Sequence, residues 1–335
     1  MSQKITNKIA VCDTTYDTTP YIPTPSKELP QSQQHYLDKA TAANTRRAYQ
    51  AAIRQFEAAG GLLPATEQDI VRYVINKASL LNPRTLSLHL TAISHWHRYQ
   101  HLPDSTQTAQ IRKLLKGIYR SHGKPKRKAK ALHPEHIDKM VTHLHKQNNL
   151  KALRDSALVQ LAYFGAFRRS ELIAITVEHL RFETQGLLVL IPRSKTDQDG
   201  EGKIKALPYG KNAVCPVDAL KKWLEASQIT QGVIFRAINR WNMLQPNPLH
   251  PDSVNTIIKT LAQQCGFDFV ANLSSHSLRR GFATSAANVG ADFEWIKRQG
   301  GWKSDNTVRE YIEEGQLFDK NAASKLMATA FDNKE

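Results

Sequence analysis

Residues 120–130 read RSHGKPKRKAK, six basic side chains broken by Gly123 and Pro125 with no apolar period. Such a run has nothing to bury and repels itself, so it is expected to be an extended linker, and the chain on either side must build its own core. That division suits 335 residues, since one domain usually takes roughly 100–200. The expected layout is a flexible arm at 1–30, a helical domain at 31–121, the basic linker at 122–131 and a second domain at 132–335. The arm is rich in Thr, Pro, Gln and Ser, a composition that buries too little apolar surface to offset the entropy of ordering.

Four amphipathic patterns fill the first domain. Tyr49, Ile53 and Phe56 recur at helical spacing behind Thr41 or Asn44 as the cap, with Gly60 and Gly61 as the stop. Thr66 and Asp69 form a capping-box pattern ahead of Ile70, Val71, Val74 and Ile75. Pro83 opens a helix carrying Leu86, Leu90, Ile93 and either Trp96 or His97. Ile111, Leu114, Leu115 and Ile118 define the fourth, ending near Gly123. In the second domain Pro134 and Glu135 start a run of helices to about residue 180. Residues 186–193 (GLLVLIPR) and 203–207 flank the turn SKTDQDGEG and read as a β-hairpin. From Pro216 to Ala330 the pattern is helical again, broken at Pro246, Pro248 and Pro251. The fold class is therefore mainly α, an all-helical domain followed by an α+β domain with a small hairpin sheet.

Lysine and arginine number 46 against 30 acids, a net charge of +16, so the field around the chain draws a polyanion, and nucleic acid is the leading partner. No apolar run is long enough for a membrane span. The three cysteines are scattered and form no C-x-x-C pair, which fits a reducing cytosol.

Four pieces of the second domain carry groups suited to phosphate chemistry. In GAFRRSEL, Arg168 and Glu171 stand three apart, spaced to share a helix face, with Arg168 able to hold a phosphate and Glu171 to fix a neighbouring basic group. Lys195 sits in the hairpin turn, where its stem can reach into a bound groove. In SSHSLRRGFAT, His276 and Arg279 follow Ser274 or Ser275 as a helix cap, and the free N–H groups of such a helix start attract an anion. In GGWKSDNTVREYIEE, Trp302 precedes Tyr311 by nine residues. Taken singly, each piece reads equally well as ordinary structure: an ion-paired helix, an exposed lysine, a capped helix, a core aromatic.

In this order and spacing the pieces resemble the tyrosine recombinase (phage integrase) family, over residues from about 132 to 320. The family pattern is an arginine in G-x-x-R-x-x-E, a lysine in a β-hairpin, H-x-x-R, and a histidine or tryptophan nine residues before the tyrosine. The resemblance implies a catalytic set of Arg168, Glu171, Lys195, His276, Arg279, Trp302 and Tyr311, with tryptophan at the penultimate position as in Cre-like members. It implies a site-specific recombinase that cuts and rejoins double-stranded DNA through a 3′-phosphotyrosine and a Holliday junction. By the same resemblance the first domain is a core-binding domain whose helices near 42–59 and 83–100 face the major groove. DNA-contact candidates are then Arg46, Arg47, Arg84 and Ser87, with Lys124, Lys126 and Arg127 in the linker.

The resemblance further implies a homotetramer on two DNA sites, closed by a C-terminal helix lent to a neighbour, with Leu317, Phe318, Ala322, Leu326, Met327, Ala330 and Phe331 on its apolar face. Transesterification stores the bond energy in the phosphotyrosine, so neither a nucleotide nor a metal is expected. His133, His136, His143 and His145 lack the spacing and the accompanying acids of a metal site. Two other readings remain at this point: a type IB topoisomerase-like relaxing enzyme, and a DNA-binding protein that keeps the scaffold without catalysis.

Overall fold

The computed structural model describes residues 40–125, 127–192, 202–211, 213–315 and 321–331. The chain divides into two compact units, with the division between Lys126 and Arg127.

The first unit holds helices α1 (Ala43–Ala58), α2 (Glu67–Lys77), α3 (Pro83–Tyr99) and α4 (Ala109–His122). Each contributes fully buried side chains to one core, among them Phe56, Ile70, Leu86, Ile93 and Ile111. Burying a side chain of this size stabilises by about 1.5–3 kcal/mol. Asp69 N–H donates to the Thr66 hydroxyl at 3.2 Å and the Asp69 carboxylate accepts from Thr66 N–H at 3.1 Å, closing the capping box. The α1 cap differs from expectation. Ala42 holds that position without a side-chain bond, because Arg46 folds back to donate to the Thr41 carbonyl at 2.8 Å and Asn44 already lies in the first turn. In α3 it is His97 that turns inward: its Nε2 accepts from Ala65 N–H at 3.0 Å while its Nδ1 donates to the Pro103 carbonyl at 2.6 Å.

The second unit is built on α6 (Leu150–Phe164), buried along most of its length. A helix buried on nearly every face belongs in the middle of a layered core. Packed on it are α5 (Pro134–His145), α8 (Pro216–Ser227) and α10 (Ser275–Asn288). A short helix α7 (Arg169–Ile173) leads to an antiparallel sheet of β1 (Leu180–Glu183), β2 (Gly186–Ile191) and β3 (Lys203–Pro208), in that order. The sequence reading anticipated only the β2–β3 hairpin; β1 joins it through a turn that pairs Glu183 with Gly186. On β3 the inward residues are Lys205 and Leu207, opposite Val189 and Leu187.

The stretch after Pro216 is not helical throughout, contrary to the sequence reading. Strands β4 (Arg236–Ile238) and β5 (Leu244–Pro248) form a second antiparallel ribbon. Pro246 and Pro248 lie in a two-stranded ribbon, where a missing N–H can face outward without breaking a ladder. Helices α9 (Pro251–Gln264), α11 (Phe293–Gly300), α12 (Asp305–Gly315) and α13 (Ala322–Phe331) complete the unit. No helix among the described residues is long and apolar enough to cross a membrane.

Candidate active site

The site forms where the C-terminal end of α6 meets α7, α10 and the turn between α11 and α12. Helix α6 stops at Gly165, and Ala166 takes a left-handed conformation, φ +43°. The reversal delivers Arg168 to the cap position of α7, so Arg168 precedes that helix and does not lie on its face as the spacing suggests. Glu171 holds Arg168 itself, not a neighbouring base: one carboxylate oxygen accepts from Arg168 N–H at 2.9 Å and the other from its Nη1 at 2.6 Å. Arg168 Nη2 donates to the Gly301 carbonyl at 3.3 Å, which ties this corner to the α11–α12 turn.

Helix α10 begins at the Ser274 cap, whose hydroxyl accepts from His276 N–H at 3.2 Å. His276 therefore stands exposed in the first helical turn, near N–H groups that have no intrahelical acceptor. One turn on, Arg279 is 3% exposed. Its Nη1 donates to the Ala166 carbonyl, and its guanidinium lies 4.2 Å from the centre of the Trp302 ring. Its Nη2 is buried with no hydrogen-bond partner among the described residues. Burial, with Arg168 close by, pushes the Arg279 guanidinium down to about 10 against the opposing pull of Glu171 and Tyr311, so it stays charged at neutral pH.

Trp302 sits directly after Gly300 and Gly301. An added Cβ at Gly300 would fall 1.8 Å from the indole, so the tryptophan packs against bare backbone. Gly301 has φ +64°, the left-handed value that ends α11 and turns the chain back. The rings of Trp302 and Tyr311 meet edge to face, centroids 5.9 Å apart at 70°. Tyr311 is half-buried on α12; its carbonyl accepts from the Thr284 hydroxyl at 2.9 Å, and the Arg280 guanidinium lies 5.5 Å from its ring. Arg168 and Glu171 thus form one contact pair and Arg279, Trp302 and Tyr311 a contiguous set, joined through the Gly301 carbonyl that precedes Trp302, with His276 one turn before Arg279 on the same helix. Lys195 lies outside the described residues.

Two basic residues absent from the sequence reading join the cluster. Arg280 packs on Tyr311 and donates to the Ala129 carbonyl at 2.9 Å. Lys205 is 6% exposed and donates from Nζ to the Gly165 carbonyl at 2.5 Å and to Ala166 at 3.3 Å. Burial first, then Arg279 and to a lesser degree Arg168 and Lys203, push Lys205 down to about 7 despite Glu171. Its signal was the strand alternation, because Lys205 is in phase with the inward Leu207.

Residues 130–316 match the phage integrase family. The chain belongs to that family, the tyrosine recombinases. This tyrosine recombinase is 37% identical over 299 residues to an integrase/recombinase xerD homolog of Selenomonas ruminantium, covering 87% of each chain. It is 22% identical to recombinase cre of Escherichia phage P1 over 267 residues, 74% of this chain and 76% of the other. Its fold is shared with a lambda integrase dimer bound to a COC' core site, at TM-score 0.60 and 15% identity, covering 84% of this chain and 75% of that one. It is shared also with the XerH recombinase in a post-cleavage difH complex, at TM-score 0.56 and 19% identity, covering 79% and 72%.

In the recombinase's first unit, Arg47 and Arg84 are exposed, and Ser87 is half-buried with its carbonyl bonded to the Thr91 hydroxyl. Arg84 reaches the Lys124 carbonyl at 3.2 Å. Arg46 is turned toward Thr41 and lines a cavity between α1 and α3 with Tyr49, His95 and Trp96. Lys124 and Arg127 are exposed, and Lys126 lies outside the described residues.

Proposed function

We propose that the protein is a site-specific DNA recombinase in which the Tyr311 hydroxyl attacks a backbone phosphate. The observation that carries the site assignment is Arg279, a buried charge with one guanidinium nitrogen unpaired among the described residues, beside a second arginine and within one aromatic ring of a tyrosine. Buried charge without a partner is costly, and a bound anion supplies the partner.

In this mechanism Arg168 and Arg279 clamp the non-bridging oxygens, since planar guanidinium offers parallel donors and keeps its charge. Glu171 aims Arg168. His276 hydrogen-bonds the same phosphate and accepts the tyrosine proton, while the Trp302 indole N–H donates to an oxygen. As the Tyr311 oxygen bonds to phosphorus, the bond to the 5′ oxygen breaks and Lys195 gives that oxygen its proton. The product is a 3′-phosphotyrosine and a free 5′ hydroxyl. A 5′ hydroxyl from a second duplex reverses the step and yields a Holliday junction without nucleotide hydrolysis.

The partner is double-stranded DNA bearing a specific site, bound by a homotetramer, and the work is cytoplasmic. Arg46, Arg47, Arg84, Ser87, Lys124, Lys126 and Arg127 are the proposed contacts of the core-binding side. Leu326 and Met327 on α13 are 62% and 64% exposed, consistent with a helix whose apolar face is completed by another copy. A solved lambda integrase tetramer is bound to a Holliday junction.

The test is adduct formation on a library of nicked genomic duplexes, followed by sequencing of the trapped DNA end. The wild type should become covalently linked at one sequence, and Tyr311→Phe should give no adduct. An adduct that survives in Tyr311→Phe removes Tyr311 as the nucleophile.

A further inference from the structure

The β3 lysine is a buried basic group inside a cluster that already contains two arginines, and its geometry shows what it does there. A helix end leaves its last carbonyls without intrahelical partners. At the end of α6, Lys205 Nζ takes the Gly165 carbonyl at 2.5 Å and the Ala166 carbonyl at 3.3 Å, and Arg279 takes the Ala166 carbonyl as well. The ammonium also lies 4.7 Å from the centre of the Phe167 ring, the residue directly before Arg168. The turn it holds is tight. Ala166 is fully buried at φ +43°, and a Cβ added at Gly165 would fall 2.1 Å from the Phe167 ring. The cross-link joins β3, which follows the connection carrying Lys195, to the reversal that delivers Arg168 and to the carbonyl that orients Arg279.

We propose that Lys205 is a positioning residue for strand cleavage: it fixes the Gly165–Ala166 turn and so sets where the Arg168 and Arg279 guanidiniums meet the scissile phosphate. It does not donate a proton to the leaving oxygen, because its ammonium faces main-chain carbonyls in a side chain 6% exposed. The proposal rests on the recombinase reading above.

Two measurements on the full chain test it. The first needs no DNA: amide hydrogen exchange across residues 165–168 should quicken in Lys205→Met, and unchanged protection there overturns the staple whatever the enzyme does. The second uses a nicked duplex bearing the sequence mapped through the Tyr311 adduct, made with a 5′ bridging oxygen or with sulfur in its place. A thiolate leaves without a proton, so a missing proton donor is rescued by sulfur and a misplaced arginine clamp is not.

Lys205→Met should slow adduct formation about a hundredfold on both substrates, with DNA affinity retained. A wild-type rate, or a defect erased by sulfur, overturns the proposal; the second result makes Lys205 the proton donor. Should Lys205→Met melt below the assay temperature, Lys205→Gln, which keeps an N–H donor, should hold protection at 165–168 and most of the adduct rate, and a large defect in it that sulfur erases overturns the proposal. Failure of the wild type to form any adduct counts against the recombinase reading, whereas the exchange result stands by itself.

Discussion

The two ends of α6 bury an arginine each and treat it differently. At the N-terminal end Arg154, 3% exposed, gives Nε and Nη2 to the Asp155 carboxylate at 2.9 and 2.7 Å and Nη1 to the Arg236 carbonyl at 3.3 Å. Lys151 closes the other side of the same carboxylate at 3.2 Å. At the C-terminal end Arg279, also 3% exposed, faces a carbonyl, an indole and a second arginine, and keeps one nitrogen unpaired among the described residues. The first is a closed pair that contributes to the fold. The second keeps a donor free, which fits the anion site proposed for it. Burial alone therefore does not distinguish a structural arginine from a functional one; the accounting of donors does.

The sharpest way to break this contrast is to remove each arginine in turn. Arg154→Ala strands a carboxylate that is 1% exposed with Lys151 as its remaining ion-pair partner, and should cost about 3–5 kcal/mol of stability by urea denaturation. Arg279→Ala should leave the denaturation midpoint unchanged or raised, because it removes a desolvated charge. The same variant should slow adduct formation by about 10²–10³-fold, roughly 3–4 kcal/mol in the transition state. If Arg279→Ala destabilises as much as Arg154→Ala, the two ends are alike and the anion-site reading fails.

Glu171→Gln gives a smaller effect that sharpens the comparison. Glu171 is hydrogen-bonded to Arg168 and acts on Arg279 only through space, so weakening it should lower the adduct rate about tenfold, as expected for loss of roughly 1.4 kcal/mol of charge-assisted hydrogen bonding. A variant that cleaves at the wild-type rate would show that Arg168 needs no aiming.

A pH slope tests the C-terminal end of α6 by a different measurement. Lys205 loses its proton near pH 7 in the folded protein against an ordinary value of 10.5, driven by burial and by Arg279, with Arg168 and Lys203 adding to it and Glu171 opposing. Between those values the unfolded chain binds the extra proton, so stability rises with pH across that window and is flat on either side of it. Lys205→Met should flatten the rise in a series of urea midpoints from pH 6 to 10. An equal slope in both proteins would mean that other groups set it.

Much of the site could be read from the chain because its parts are separate short motifs with fixed internal spacing. H-x-x-R places His276 and Arg279 one turn apart on any helix, and the interval from Trp302 to Tyr311 spans one turn and the start of one helix. Helix starts were legible where a side chain does the capping, as at Thr66 and Ser274, or where a proline opens the helix, as at Pro83. They failed at α1, where backbone and Arg46 do the work, and at the β4–β5 ribbon, whose prolines look like helix breaks. Glu171 bonds Arg168 itself and reaches Arg279 and Lys205 only through space, because Arg168 is the cap of α7, just after the chain reverses at Ala166.

The sequence by itself determined the helical patterns, the basic run after α4, and the order and spacing of the arginine, histidine and tyrosine motifs, since periodicity, capping and spacing are local properties of the chain. Only the tertiary structure decided that Lys205 and Arg280 join the site, that Arg279 is buried with a donor left over, and that Arg168 is a cap. Those facts depend on which carbonyls and rings arrive from elements as far apart as β3 and α12, and no local pattern encodes what distant segments bring to a helix end.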